Sequence, residues 1–383
     1  MAGKAKKGGV RAKGGKGGGG EKALHDLRRR IDGVDSSLLV LLNRRAELAA
    51  RVGEHKKKNA RGFYIPARED DIVERLRKEN PGPFPADSIP PVYKEIISAC
   101  RSLEKRLRVA YFGPEASFTH IAGRQQFGHS AEFIPERGIS DVFEVVERGE
   151  ADYGVMPIEN STEGVVTHTL DMFLDSDLTI CAEIVLEIVH NLLAVDGELG
   201  KVKRVYSHPH ALAQCRNWLR KNLPGINIHE AASTSEAARM AAVDRDAAAI
   251  ASEFAGDFYG LKVIARHIED LARNYTRFFV IGKEQGQKSG RDTTAIMFSV
   301  KDRPGILYDA LGHFATRGVN LSKIESRPLR GRAWEYVFFV EMDGHITDAL
   351  VKEAIRALEH DCVFVKVLGS YPKMRKDNQF LRV

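Results

Sequence analysis

The sequence predicts a multidomain chain in which an all-α helical segment is followed by a two-lobed α/β body and a small βαββαβ module. Apolar residues recur every three or four positions from Leu24 to Val52, which is a helical period. At Val109 the pattern changes to short apolar runs alternating with helical stretches, the mark of layered α/β structure. The polar stretch EQGQKSGRD (284–292) then sets off a last unit, and 383 residues leave room for two to four domains.

Residues 1–22 carry seven Lys/Arg, one acid and nine glycines. That composition buries no core and predicts disorder. The whole net charge of +6 lies in this tail, and the other 361 residues hold 51 basic and 51 acidic groups. The pI of about 9.0 is therefore no argument for nucleic-acid binding. Gly15 to Gly20 satisfies G-x-G-x-x-G, but no strand is predicted before it and no helix begins there, so it implies no dinucleotide site. The tail lacks the apolar run of a secretory signal, and no stretch approaches the ~18 apolar residues of a membrane helix. Cys100, Cys181, Cys215 and Cys362 are scattered without a C-x-x-C pair. A cytoplasmic chain with reduced, buried thiols is the expectation.

Within the helical segment (23–107), the first helix carries Leu24, Leu27, Ile31, Val34, Leu38, Leu41, Leu48 and Val52 on one stripe, with no proline before Pro66. A second runs from Arg68 to about Asn80, stopped by Pro81-Gly82-Pro83. A third follows Pro90-Pro91 and aligns Ile96, Ile97, Cys100, Leu103 and Leu107. Three helices cannot cover so long a first stripe, which implies a partner chain and hence a homo-oligomer. In the body (108–283), VAYFG, ADYGVMPIE, LTICAEIVLEIVHNLLAV, KRVYSHP, DAAAIAS and RFFVIG read as strands of mostly parallel sheets. LAQCRNWLRKNL and SEAARMAAV read as helices, and ligands are expected at strand C-terminal ends. Residues 293–372 read as strand, helix, strand, turn, strand, helix, strand, a ferredoxin-like order, and 373–383 form a tail. His208-Pro-His210 is the only close histidine pair and lacks further ligands nearby, so neither metal nor cofactor is expected.

Three sets of motifs carry a resemblance. LRRRID, LLVLLNRRAELAARVGEHK, FYIPARE and CRSLE, within residues 24–107, resemble the all-helical class of chorismate mutase. GPEASFT (113–119), GVMPIENSTEG (154–164), YSHPHALAQC (206–215) and NYTRFFVIG (274–282) resemble prephenate dehydratase, whose lobes are periplasmic-binding-protein-like. RPGILYDAL (303–311) and GVNLSKIESRP (318–328) resemble the ACT regulatory domain. In this order they are similar to the bifunctional chorismate mutase/prephenate dehydratase family of phenylalanine biosynthesis, which implies chorismate and prephenate as substrates and feedback inhibition by L-phenylalanine.

The mutase reaction is a unimolecular rearrangement that breaks an ether C–O bond. It needs a clamp for two carboxylates and a donor for charge growing on the ether oxygen, and planar arginines suit the clamp. The resemblance implies Arg45 as one clamp, Arg28 supplied from the partner chain, Lys56 donating to the ether oxygen, and Glu69 accepting from the ring hydroxyl beside Arg68. Glu104 stands where family members often carry a carboxamide, and the expectation is that it works protonated. Ile65 replaces an Asp found in some members, and one hydroxyl contact is lost with it.

The dehydratase step expels CO2 and hydroxide as the ring becomes aromatic, and so requires an acid and carboxylate donors. The resemblance selects Thr276 as proton donor or relay, Arg277 as an orienting or anion-binding residue and Phe278 as a packing wall. It adds Glu159, Asn160, Ser161, Thr162 and Gln214 as substrate-binding residues, while His210 stands where Gln is common. In the last module it implies L-phenylalanine bound between two copies near Gly305, Ile306, Leu307, Asn320, Leu321, Glu325, Ser326 and Arg327, with Ile306 bulkier than the usual Ala. One competing reading is a monofunctional dehydratase whose helices only dimerise. Another is an amino-acid-responsive DNA-binding regulator, which requires a helix-turn-helix; residues 24–60 read instead as one uninterrupted helix.

Overall fold

The structure, a computed structural model, describes Gly3 and residues 18–58, 64–301, 303–328 and 336–374; the side chains of 18, 19 and 56–58 lie outside that description. The first segment is three helices, α1 (Gly18–Lys58), α2 (Pro66–Glu79) and α3 (Ile89–Glu104). α1 starts at Gly18, ahead of Leu24 and inside the G-x-G-x-x-G match, with Glu21 in its first turn, where a carboxylate favours the helix dipole. The disorder expected for residues 1–22 otherwise falls almost wholly outside the described residues. α2 and α3 each carry proline at the first turn, where the missing N–H costs nothing. α1 packs on α3 near its C-terminal end, but eleven large apolar side chains from Leu24 to Val52 stay 38% to 66% exposed.

The body holds two sheets. The first lobe comprises β1 (Arg108–Phe112), α4 (Phe118–Phe127), β2 (Glu132–Glu136), α5 (Ile139–Glu147), β3 (Tyr153–Asn160), β4 (Gly164–Val165), α6 (Thr167–Asp175) and β5 (Thr179–Glu187). The chain crosses through residues 188–190 into the second lobe, with β6 (Asn191–Ala194), β7 (Arg204–Ser207), α7 (Pro209–Gln214), α8 (Arg216–Asn222) and β8 (Asn227–Glu230). That lobe continues with α9 (Thr234–Ala241), β9 (Ala247–Ala251), α10 (Glu253–Tyr259) and β10 (Lys262–Ala265). The chain then returns to the first lobe as β11 (Tyr275–Gly282). The sheet orders are β2-β1-β3-β11-β5, with β4 on β3, and β10-β6-β9-β7-β8.

Three expectations are corrected. LTICAEIVLEIVHNLLAV is two strands in different lobes, because the crossover interrupts an apolar run whose two halves are buried in separate cores. The sheets are mixed rather than mostly parallel: β11 runs antiparallel to β3 and β5, and β6 antiparallel to β9 and β10. A strand that enters from the other lobe has no crossover helix to turn it parallel. LAQCRNWLRKNL also divides, into α7 and α8, at Cys215.

The third module is β12 (Asp292–Val300), α11 (Ile306–Ala315), β13 (Leu321–Pro328), β14 (Tyr336–Asp343), α12 (Ala349–Glu359) and β15 (Cys362–Pro372). Its antiparallel order β13-β14-β12-β15 is that of a ferredoxin-like sheet. Met297, Phe339, Leu368 and Tyr371 of this sheet share one core with Met156, Ile158, Phe279 and Ile281 of the first lobe. The module is therefore packed onto the back of the strands that carry Asn160 and Thr276. On another side, Tyr64 joins the core of the first lobe, and Arg101 Nη2 donates to Phe127 O at 2.6 Å, the C-terminal end of α4.

Candidate active sites

Where α1, α2 and α3 converge, Arg45, Ile65, Arg68, Glu69, Arg101 and Glu104 line a cavity of about 230 Å³ with Leu48, Val52, Ile72 and Cys100. Arg45 reaches the Ile96 carbonyl at 3.5 Å and remains partly open to the cavity. The Glu69 carboxylate is buried; Arg101 Nη1 bonds one oxygen and Lys94 Nζ stands 3.4 Å from the other. Arg101, which sequence reasoning passed over, is 5% exposed and lies over the Tyr64 ring at 5.1 Å. Its only signal was a cation in the apolar stretch before Glu104. Arg28 is exposed on α1, nearly five turns before Arg45, and does not line this cavity. The Lys56 side chain lies outside the described residues.

The second site is built where the chain passes between lobes. Thr276 and Asn160 are register partners on β11 and β3, as are Arg277 and Glu159. The register slips just beyond, next to Pro157, which has no N–H to give. Asn160 Nδ2 donates to Thr276 Oγ1 and to Asn274 Oδ1, each at 2.8 Å. Asn274 Nδ2 donates to Gln214 Oε1 at 3.0 Å, and Gln214 Nε2 to Thr162 Oγ1 at 3.1 Å. The Thr162 hydroxyl closes the ring on Asn160 Oδ1 at 2.6 Å. All four donors run in one sense around this ring. The backbone N–H groups of Thr162 and Glu163 fix the Asn160 oxygen at 2.9 and 3.2 Å, so neither Asn160 amide hydrogen can turn away from Asn274 and Thr276.

His190, in the crossover, holds Gln214 Oε1 from outside the ring at 2.8 Å. That oxygen is an acceptor, so the imidazole carries its proton on Nε2, and burial lowers its pKa. Asn274 and His190 are the residues sequence reasoning missed. Asn274 opens the NYTRFFVIG motif, and His190 is a lone polar residue in an apolar run. Glu163 and His210 pair at 2.5 Å across the mouth between lobes. Ser161 Oγ accepts from Tyr275 N at 2.9 Å and pins the end of β3 to β11. Phe278 is 1% exposed in the core of the first lobe.

Arg277 points the other way, toward the third module. Its Nε donates to Glu183 at 2.7 Å, Nη1 to Glu341 at 2.8 Å and Nη2 to the Tyr371 hydroxyl at 3.2 Å. Burial alone would lower its pKa, but Tyr371, Glu183 and Glu341 outweigh that and hold the guanidinium above the usual arginine range. Glu159 likewise faces the module, 2.5 Å from Lys323 Nζ.

In the third module Gly305 caps α11 with φ +80, a conformation that favours glycine. Ile306 is buried and Leu307 half-buried beside it, while Asn320, exposed, bonds Asp343 at 3.1 Å and leads into Leu321. The ten residues of α11 separate the two segments by about 15 Å, so a single module does not bring them together. On β13, Glu325 is half-buried, Ser326 exposed, and Arg327 pairs with Asp171 of α6 at 2.8 Å. Among the described residues no helix is long and apolar enough to cross a membrane.

The family model for prephenate dehydratase matches residues 109–286, that for chorismate mutase type II residues 27–105, and that for the ACT domain residues 294–360. A bifunctional chorismate mutase/prephenate dehydratase of Aquifex aeolicus is 49% identical over 354 residues, 91% of this chain and 98% of that protein. One from Pseudomonas aeruginosa is 40% identical over 358 residues, again 91% and 98%. The solved structure of prephenate dehydratase from Arthrobacter aurescens, in complex with L-Phe, aligns at a TM-score of 0.65 and 36% identity, covering 70% of this chain and 90% of that one. With a cationic helical cavity, an inter-lobe amide ring and a ferredoxin-like module in one order along one chain, and full-length relatives that share it, the chain belongs to the bifunctional chorismate mutase/prephenate dehydratase family.

Proposed function

We propose that this chain converts chorismate to prephenate in the helical cavity, and prephenate to phenylpyruvate at the inter-lobe ring, under feedback inhibition by L-phenylalanine. The observation that carries the second step is the Asn160–Thr276 bond. Asn160 donates, so the Thr276 oxygen accepts and its own hydrogen is left to donate outward. That hydrogen serves the departing hydroxyl as donor or proton relay. The C–O bond breaks, the electrons of the ring–carboxylate bond close the aromatic ring, CO2 leaves, and one proton converts hydroxide to water. Gln214, Thr162, Ser161 and Asn160 position the substrate, Phe278 packs behind Thr276, and Arg277 and Glu159 orient the strands from behind.

In the mutase, Arg45 and Arg68 clamp the substrate carboxylates. Arg28 comes from a second chain, Lys56 and a protonated Glu104 face the ether oxygen, and Glu69 retains lone pairs for the ring hydroxyl while bonded to Arg101. The exposed stripe of α1 supports a homodimer or larger homo-oligomer. Covering eleven half-exposed apolar side chains is worth on the order of 10 kcal/mol. The separation of Gly305 from Asn320 supports an effector site shared between two modules, with control exerted allosterically. The setting is cytoplasmic.

The test supplies chorismate alone, with and without phenylalanine, and follows chorismate loss and phenylpyruvate appearance separately. Both are expected, the second suppressed by phenylalanine. Chorismate loss without phenylpyruvate would leave only the mutase, and phenylpyruvate formed only from added prephenate would leave only the dehydratase.

A further inference from the structure

Five ionisable side chains meet behind the dehydratase site, across the boundary between two modules. Arg277 and Glu159 come from β11 and β3, and Glu183 from β5. Lys323 and Glu341 come from β13 and β14 of the ACT module, with the Tyr371 hydroxyl completing the group. The Glu341 side chain is 5% exposed and that of Lys323 13%. Burial raises the Glu341 carboxyl, and Arg277 opposes that rise. The Arg277–Glu341 pair, buried on both sides, is costly to break once formed, which makes its geometry stiff. The Lys323–Glu159 pair is buried on the lysine side and keeps 38% of the Glu159 side chain exposed.

The position of this cluster is what gives it a function. Arg277 and Glu159 are register partners, and the next pair on the same two strands is Thr276 and Asn160. Adjacent strand residues face opposite sides of the sheet. The ACT module therefore grips the back of the same four-residue patch whose front carries the Asn160–Thr276 bond. Arg327 adds a second grip on the same segment of the lobe, pairing with Asp171 of α6 while Lys323 holds the end of β3. Both cations lie on β13, which begins at Leu321, inside the stretch assigned to phenylalanine.

We propose that Lys323 and Glu341 are positioning residues of the dehydratase. They fix Glu159 and Arg277, and through them the ACT module sets the Asn160–Thr276 geometry. A displacement of β13 on effector binding is thereby delivered to the catalytic hydroxyl through these ion pairs. This inference rests on the reading of Thr276 and of phenylalanine as effector given above.

The test uses the full-length chain and four forms: wild type, Lys323→Met, Lys323→Arg and Glu341→Gln. Phenylalanine binding is measured by equilibrium dialysis, inhibition and kcat and KM by prephenate turnover, and folding by mutase activity. In Lys323→Met, phenylalanine still binds within about threefold of wild type but is at least tenfold less effective as an inhibitor, and Lys323→Arg restores inhibition. In Glu341→Gln, kcat falls at least fivefold with KM within twofold, because the hydroxyl is displaced while the substrate contacts remain. Inhibition of Lys323→Met indistinguishable from wild type, or a Glu341→Gln loss carried entirely by KM, overturns the proposal. A wild-type chain that does not bind phenylalanine overturns the effector reading instead, and the regulatory part of this inference with it.

Discussion

Asn160 donates one amide hydrogen to Thr276 and the other to Asn274, and the two bonds have the same length of 2.8 Å. The Thr276 oxygen is thus occupied as an acceptor and oriented by a ring whose sense is fixed elsewhere. Removing the hydroxyl in Thr276→Ala should lower dehydratase kcat by about 10²-fold or more, the range expected for a lost proton donor. Mutase activity of the same chain should stay near wild type. Thr276→Ser keeps the hydroxyl and should retain most of the activity. Prephenate turnover in the three forms decides the point, and full activity in Thr276→Ala would rule out the assignment.

Gly53 of α1 faces Glu104 so closely that a Cβ there would stand 2.8 Å from the Glu104 Cβ and Cγ. The Glu104 side chain is held at the seam of α1 and α3 and lines the mutase cavity. A charged carboxylate at that place would repel the negative charge growing on the ether oxygen, so only the protonated form assists. Glu104→Gln, which keeps a donor and carries no charge, should hold mutase kcat/KM within about threefold of wild type, whereas Glu104→Ala should lower it about 10²-fold. A loss in Glu104→Gln as large as that in Glu104→Ala would contradict a protonated role. Gly53→Ala should overpack the seam, at a cost of about 1–3 kcal/mol, and lower mutase turnover while sparing the dehydratase.

How much of this was legible in the sequence depended on range. The α1 stripe and the order of the last module were readable because their periods are local. The inter-lobe ring was half readable: Asn160, Thr162, Gln214 and Asn274 sit in motifs, but the part played by Asn274, and His190 altogether, acquire meaning only when the crossover brings them together. The single long strand was misread because an apolar run does not disclose that its two halves enter different cores. The direction of Arg277 was available in principle, since alternation along β11 sends it away from Thr276. What it meets there, Glu341 and Tyr371, lies more than sixty residues on and could not be read from the motif.

Arg45 lines the cavity while Arg28 is exposed some distance along the same helix. If one mutase site takes Arg45 from one chain and Arg28 from another, two defective chains should rescue each other. Arg28→Ala and Arg45→Ala should each be nearly inactive as mutases. Unfolded together and refolded, a random mixture of dimers carries one intact site in half of its molecules, and should recover roughly a quarter of wild-type mutase activity. Recovery no greater than the sum of the separate variants would place both arginines in one chain.

His120 gives a prediction about stability against pH. Its ring is 7% exposed, stacks on Tyr111 with centroids 4.7 Å apart, and accepts the Ala116 N–H through Nδ1 at 3.1 Å. Burial above all, and then the charge of Arg124, pulls its pKa down to about 4. In the unfolded chain a histidine takes its proton near 6.5. Between those values the unfolded state holds the extra proton, so stability present above pH 6.5 is lost as pH falls toward 4. The whole window is worth about 3 kcal/mol, and about 2 kcal/mol of it is gone by pH 5. His120→Phe keeps the stack and removes the titration. It gives up the Ala116 hydrogen bond and starts less stable at pH 7, but it should lose about 2 kcal/mol less than wild type between pH 7 and pH 5. Urea unfolding of both forms at the two pH values measures the difference. Equal losses would show that the imidazole is not the group that titrates.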